Sequence, residues 1–294
     1  MHEKLEKAPI AAGTTYKPAE PLTARVLSNE LLTEPRADEV RHIVIDLKGS
    51  NLHYTEGQSI GILPPGSQPD GRPQKLRLYS IASAASGERG QPGTVGLCVK
   101  RLVEDHADGT QYKGVASNYI CDAKPGDELR VTGPVGLHFL LPRDENTDLV
   151  FIATGTGIAP FRAFLDHIYR ERSSPWRGQV YLFFGAKYSN ELLYFTNINN
   201  ELGEYLGRPG FQMISAISRE QKNPDGSRVY VQHRIEENFE ELHRIIHGNF
   251  ALYMCGLKGM DKGIDEVFSR KVGTGWEETK QSLKKSGRWV VEVY

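Results

Sequence analysis

Nine residues in the middle of this 294-residue chain carry its sharpest chemical signal: Ala153-Thr154-Gly155-Thr156-Gly157-Ile158-Ala159-Pro160-Phe161. An apolar run, Leu149 to Ala153, precedes the glycines and a helical pattern follows, so they fall where a strand turns into a helix. Glycine lets the backbone turn tightly and approach a ligand, while the helix N-terminus offers unpaired N–H groups and the positive end of its dipole. Pro160 suits a first helical turn. Together these make a pyrophosphate cradle, and the position between strand and helix separates it from a chance tight turn. Sites for NAD usually end the next strand with an acidic residue on the ribose 2'-hydroxyl, but here that strand ends Phe184-Gly185-Ala186-Lys187-Tyr188. The following strand ends in Ser218-Arg219, and Arg228 and Tyr230 come soon after. Two guanidinium groups, a hydroxyl and an aromatic ring suit an adenosine 2'-phosphate, so NADP is expected. On residue types alone, a solvated loop with surface arginines is an equal alternative.

The three cysteines, Cys98, Cys121 and Cys255, form no C-x-x-C pair. Neither a structural zinc site nor a thiol–disulfide centre is therefore expected, nor any other metal, and a cytoplasm-like compartment follows. Three thiols cannot supply the four that hold an iron–sulfur cluster, so a single-electron cluster would lie on another molecule. Lys and Arg (36) balance Asp and Glu (37), which argues against a nucleic-acid binder that works by neutralising phosphates. Met1 to Lys7 mixes charges of both signs without an apolar core, so a signal peptide is not expected, and no run reaches transmembrane length.

The elements that must position these residues fall into two halves. Up to about residue 140 the chain reads as short apolar segments: Ala24 to Leu27, Val40 to Leu47, Ser59 to Leu63, Leu76 to Ala82, Thr94 to Val99 and Glu128 to Val131. Turn residues such as Pro64-Pro65 and Pro125-Gly126-Asp127 separate them, which predicts an antiparallel barrel or sandwich. One short helix is expected after Ser117, with the Ser117 hydroxyl as its cap. From Leu149 the rhythm becomes strand then helix: Leu149 to Ala153, Val180 to Phe184, Phe211 to Ile217, Phe250 to Cys255 and Trp289 to Val293 alternate with amphipathic stretches such as Phe161 to Arg170. That pattern predicts a parallel, Rossmann-like sheet covered on both faces. The domains are expected at 1–142 and 143–294.

Arg77-Leu78-Tyr79-Ser80 and Gly114-Val115-Ala116-Ser117 resemble the two flavin signatures of plant-type ferredoxin-NADP reductases. Gly133 to Gly136, Thr154 to Pro160, Ser218 to Asn223, Arg228 to Gln232, Cys255 to Met260 and the closing Gly287 to Tyr294 follow in the family's order, so the resemblance spans nearly the whole chain. It implies an antiparallel FAD-binding barrel followed by an NADP domain, and an enzyme that passes electrons between NADP(H) and ferredoxin or flavodoxin.

By position, the resemblance implies that Arg77 pairs with the FAD pyrophosphate, Tyr79 packs on the flavin, and Ser80 meets the atom where hydride arrives. Leu78, Cys98, Val99, Lys100, Val115, Ala116 and Ser117 complete the FAD site. Thr156, Ala186, Lys187, Ser218, Arg219, Arg228, Tyr230, Gln232, Gly256 and Leu257 line NADP, with Lys100 near its pyrophosphate. Cys255 and Glu292 join Ser80 at the reacting centre, and the Tyr294 ring occupies the nicotinamide's place. Arg72, Lys75, Lys284, Lys285 and Arg288 offer positive charge to an acidic carrier, a solvated basic face being the plain alternative. Three departures from the family stand out: Ala116 stands for Cys, His138 for an acid, and Val290 and Val293 for more polar residues; in addition, no tyrosine follows Lys100 closely enough to stack on the FAD adenine. A non-photosynthetic member is plausible on these grounds, in a bacterial cytoplasm or else a plastid stroma. The reductase component of an oxygenase, or a flavin-free scaffold of the same fold, are the competing readings.

Overall fold

The computed structural model describes residues 2–34, 37–106 and 108–294. In the first half, β1 (Leu22–Leu31), β2 (Val40–Asp46), β3 (Ser59–Ile62), β4 (Arg77–Ser80) and β5 (Thr94–Lys100) lead to a hairpin, β6 (Val103–Asp105) and β7 (Gln111–Lys113). Helix α1 (Val115–Asp122) and β8 (Glu128–Val135) complete it. Six of these strands form one antiparallel sheet in the order β4-β3-β8-β1-β2-β5. A bridge from Ile81, just past β4, to Leu97 on β5 joins the two edges and curls the sheet into a barrel. Val26, Ile43, Ile45, Ile60, Val95, Leu97, Val99 and Leu129 fill its interior.

Two features of this half differ from expectation. The hairpin β6–β7 is an addition, invisible to hydrophobic patterning because every residue in both strands is exposed. Helix α1 starts before Ser117, with Gly114 as its N-cap. The Ser117 hydroxyl lies inside the first turn, where it donates to the Gly114 carbonyl (3.2 Å) and accepts from the Leu102 N–H (3.1 Å). It ties the helix to the hairpin instead of capping it.

The chain then crosses to a second sheet. β9 (Asp148–Thr154) leads through a 3-10 turn, Gly155–Ile158, into α2 (Ala159–Asp166). There follow β10 (Val180–Ala186), β11 (Phe211–Ile217), α3 (Val231–Glu237), α4 (Phe239–Ile246), β12 (Phe250–Gly256), α5 (Met260–Val272), α6 (Trp276–Lys285) and β13 (Trp289–Val293). The five strands are all parallel, ordered β11-β10-β9-β12-β13. Nearly every residue of β9, β10 and β12 is buried, as a sheet covered on both faces requires.

Here too the structure corrects two expectations. Helix α2 is not amphipathic: all eight residues are buried, Arg162 and Asp166 included, because it lies between the sheet and the barrel. The helix expected to run on to Arg170 becomes a π-helical turn at His167–Glu171. Between β10 and β11 no α-helix forms; two 3-10 turns, Ser189–Glu191 and Leu202–Tyr205, cover the sheet instead. No helix among the described residues is long and apolar enough to cross a membrane.

One apolar cluster joins the halves, with Val40, Ala82, Cys98, Phe139 and Leu141 packed among Phe161, Phe164, Leu193, Tyr253 and Cys255. At its centre the buried Arg162 guanidinium donates to the Ala82 carbonyl (2.7 Å), to both oxygens of Glu88 (2.5 and 3.0 Å) and to Glu201 (2.7 Å). Burial opposes ionisation of Glu88 and Glu201, yet His42 with Arg162 at the first, and Arg162 with Arg89 at the second, hold both carboxyls below their ordinary value. A buried arginine is tolerable only with such partners. This one fixes the start of the second half against the segment that follows β4 in the first.

Candidate functional site

Strand order in the parallel sheet reverses between β9 and β12, and ligands of such sheets bind at the carboxyl ends beside that reversal. The glycine turn sits there. A Cβ on Gly157 would lie 2.0 Å from the Cys255 carbonyl oxygen, so only glycine lets the turn press against β12. Gly155, with φ of +54°, faces open space. The turn forms one wall of a cleft between the halves of about 1650 Å³, larger than the ~300–1,000 Å³ of an ordinary small-molecule pocket.

The barrel wall comes from β4, whose Arg77, Leu78, Tyr79 and Ser80 all line the cleft, and from Cys98 and Lys100 on β5. Alternation along β5 sends Val99 the other way, into the barrel core, so its side chain is not at the site. Gly114, Val115, Ala116 and Ser117 bring the α1 N-terminus to the same wall, with no side-chain cap on its N–H groups. Among the described residues the Arg77 guanidinium has no ion pair and donates only to the Leu76 carbonyl (3.2 Å). A free guanidinium beside an uncapped helix start is a place for a pyrophosphate. Tyr112, on β7, also lines this wall with 47% of its surface exposed. It stands directly across the hairpin from Glu104. An aromatic ring thus reaches this wall from the returning strand of the hairpin, not from the residues just after Lys100.

On the opposite wall lie Thr156, Ala186, Lys187, Ser218, Arg219, Arg228, Tyr230, Gln232 and Leu257. Each sits at the carboxyl end of a strand or the N-terminus of the following helix. Gly256 is buried and does not line the cleft; a Cβ there would meet the Thr154 hydroxyl at 2.2 Å. Neither Arg219 nor Arg228 forms an ion pair among the described residues, which leaves both guanidinium groups free for a phosphate. Lys100 and Lys187, from opposite halves, both bind one oxygen of Asp38 at 2.6 Å, and their charges hold its carboxyl below the usual range. No pattern in the sequence marked Asp38.

Ser80, Glu292 and Tyr294 converge where the walls meet. Tyr294 is well fixed for a terminal residue: its N–H donates to the Gly256 carbonyl (3.0 Å), its carbonyl accepts from Lys258 (3.1 Å), and its hydroxyl shares a 2.7 Å hydrogen bond with Thr156. Burial raises the Glu292 carboxyl above its ordinary value. Cys255 lies just behind, fully buried, its thiol pushed up to about 12 by burial and the Glu292 charge. It is thus a thiol at neutral pH and contributes shape, not nucleophilicity.

Of the basic residues expected on the rim, Lys75 lines the cleft and Lys284 and Lys285 are exposed at the end of α6. Arg72 is paired with Asp70. Arg288 is engaged with the Glu3 and Phe250 carbonyls and Asn249, so its charge is tied to the N-terminal segment and is not free for a carrier. Each wall thus offers an uncapped helix start, unpaired cations and exposed rings, which fits two dinucleotides side by side.

Residues 151–266 match the family described as oxidoreductase NAD-binding domain. The ferredoxin–NADP reductase of Spirulina sp is 45% identical over 95% of this chain and 97% of its own length. The chloroplastic leaf isozyme 1 of the same enzyme from Arabidopsis thaliana is 46% identical over 95% of this chain and 79% of its own. Among solved structures, the ferredoxin-NADP+ reductase of Plasmodium falciparum superposes with a TM-score of 0.76 at 27% identity, covering 95% of this chain and 98% of that one. A structure of that enzyme with 2'P-AMP superposes at 0.75 with 25% identity, covering 96% and 100%.

Proposed function

The chain belongs to the plant-type ferredoxin–NADP reductase family, and from that premise we propose how its own residues carry the reaction. The protein is an FAD-dependent oxidoreductase that moves electrons between NADP(H) and ferredoxin. Bound FAD supplies the step no side chain can, exchanging two electrons as hydride with the nicotinamide and one at a time with the carrier. Arg77 and the α1 N-terminus hold the FAD pyrophosphate, Tyr79 packs on the flavin, and Tyr112 takes the adenine. Thr156 and the turn after β9 receive the NADP pyrophosphate, while Ser218, Arg219, Arg228 and Tyr230 hold the 2'-phosphate. Ser80 and Glu292 orient the reacting rings, and Glu292, with its raised pKa, can hold a proton nearer neutral pH than an exposed glutamate. Lys75, Lys284 and Lys285 steer an acidic ferredoxin, or a flavodoxin, to the rim. The three cysteines, all free and buried, suit a reducing compartment.

The observation that carries this reading is the Thr156–Tyr294 hydrogen bond. It holds an aromatic ring at the junction of the two walls by a residue of the phosphate turn itself. Ring and nicotinamide compete for that position, so part of the 2'-phosphate binding energy displaces the tyrosine. Aromatic stacking contributes about 0.5–1.5 kcal/mol beyond area burial. Titration of Tyr294→Ser with NADP+, followed by the flavin difference spectrum, should show binding tighter by about two- to tenfold. NADH activity should rise and NADPH turnover fall as product leaves more slowly. Unchanged affinity and coenzyme preference would remove the gate from the mechanism.

A further inference from the structure

Away from the cleft, where the loop before β3 meets the end of α2, Glu56, His167 and Glu171 each turn one ligand atom toward a common point, all within 4.8 Å of one another. None of the three lines the cleft. We propose that they form a binding site for a divalent first-row transition cation, with Zn2+ the best match.

The backbone prepares the site. The Arg172 N–H donates to the His167 carbonyl (3.3 Å), an i to i+5 bond that opens the helix into a π turn and sets His167 and Glu171 side by side. Such turns are rare and concentrate at functional positions. His167 Nδ1 lies 3.4 Å from Glu56 Oε1 and 3.5 Å from Glu171 Oε2. It is shielded from solvent, yet among the described residues it has no hydrogen-bond partner. Ligand atoms about 2.0–2.1 Å from a tetrahedral zinc ion are separated by about 3.3–3.4 Å, the spacing found here. Swinging the more exposed Glu171 side chain adjusts the remaining edge.

Outer contacts fix both carboxylates, as in built metal sites. Glu56 Oε1 also accepts the Ala85 N–H at 2.6 Å, and the Ser86 hydroxyl bonds Glu171 Oε1, leaving Oε2 to face His167. One imidazole and two carboxylates suit zinc, balance its charge, and leave a fourth position for water. Cysteine spacing does not reveal the site, because its ligands are Glu and His and one of them comes from the other half of the chain.

The test is isothermal titration of chelator-treated, FAD-loaded enzyme with Zn2+, whose binding must release any proton held on the imidazole. The exposed pair His243 and His247 on α4, with Nε2 atoms 3.2 Å apart, is a second place for zinc, so the titration is run in the His243→Gln/His247→Gln background. One equivalent should bind there. Adding Glu171→Gln, which alters an accessible side chain, should weaken it by at least the ~10–100-fold that loss of an outer-shell partner costs. His167→Gln should act alike, with the flavin spectrum unchanged in both. No bound equivalent in the double variant, or an equivalent that Glu171→Gln leaves intact, overturns the proposal.

Discussion

Asp38 occupies two lysines that we propose serve the nucleotide: Lys100 from the barrel and Lys187 from the parallel sheet both hold its carboxylate. Phosphate oxygens brought to that point compete with Asp38 for the same ammonium groups. Half-exposed ion pairs of this kind contribute about 0–1 kcal/mol. Asp38→Asn should therefore lower KM for NADPH by about two- to fivefold at low ionic strength, with kcat little changed and the difference shrinking as salt screens the charges. A raised KM would mean that Asp38 supports the site instead of covering it. Chemistry of single residues was legible in the sequence at most motif positions: Gly155, Thr156 and Ala159 of the glycine turn, Arg77 to Ser80, and Arg219 with Arg228 all line the cleft, though Gly256 does not. Asp38 belongs to no motif, and only the approach of the two halves gives it meaning.

Among the elements, β2, β5 and the five parallel strands follow directly from apolar patterning, because each has a buried face for the pattern to record. The hairpin β6–β7 has none, and its exposed residues left no trace to read. Yet it carries Tyr112, the ring we propose for the FAD adenine. Stacking of a base on an aromatic side chain is worth about 1–3 kcal/mol, so Tyr112→Ala should weaken FAD retention by roughly tenfold or more. Dialysis against apo-enzyme and fluorescence of released flavin measure this; retention equal to the parent would remove the adenine from this ring. Helix α2 was misread for a related reason. Its apolar stripe predicted one solvated face, but the barrel covers that face, and Arg162 and Asp166 turn from apparent surface charges into buried ones.

The whole molecule is held together by contacts that no local pattern announces. The N-terminal segment runs across both halves, with Leu5 N–H on the Ser286 carbonyl, Ala8 N–H on Leu141 and Tyr16 N–H on Gly133. Lys7 sits within it, donating to the buried Tyr253 hydroxyl at 2.8 Å. Burial, aided by the Arg288 charge, lowers its amine to about 7 from an ordinary 10.5. Between those values the unfolded chain binds more protons than the folded one, so this residue makes stability rise with pH across that window and contributes no slope below it. Denaturant midpoints of the parent and Lys7→Met between about pH 7 and 10 should show a smaller rise in the variant; parallel curves would place the lysine in solvent. At the same scale the central claim is that the two walls of one cleft pass electrons from NADPH, chosen by its 2'-phosphate, through a flavin to ferredoxin. Charge-assisted bonds from Arg219 and Arg228 contribute about 1.5–3 kcal/mol each. The measurement that tests this most directly is kcat/KM for ferredoxin reduction by the purified enzyme, with NADPH and NADH as alternative donors under anaerobic conditions. The account predicts a ratio of roughly a hundred or more in favour of NADPH; equal efficiency with the two coenzymes, or no reduction of ferredoxin with either, would contradict it.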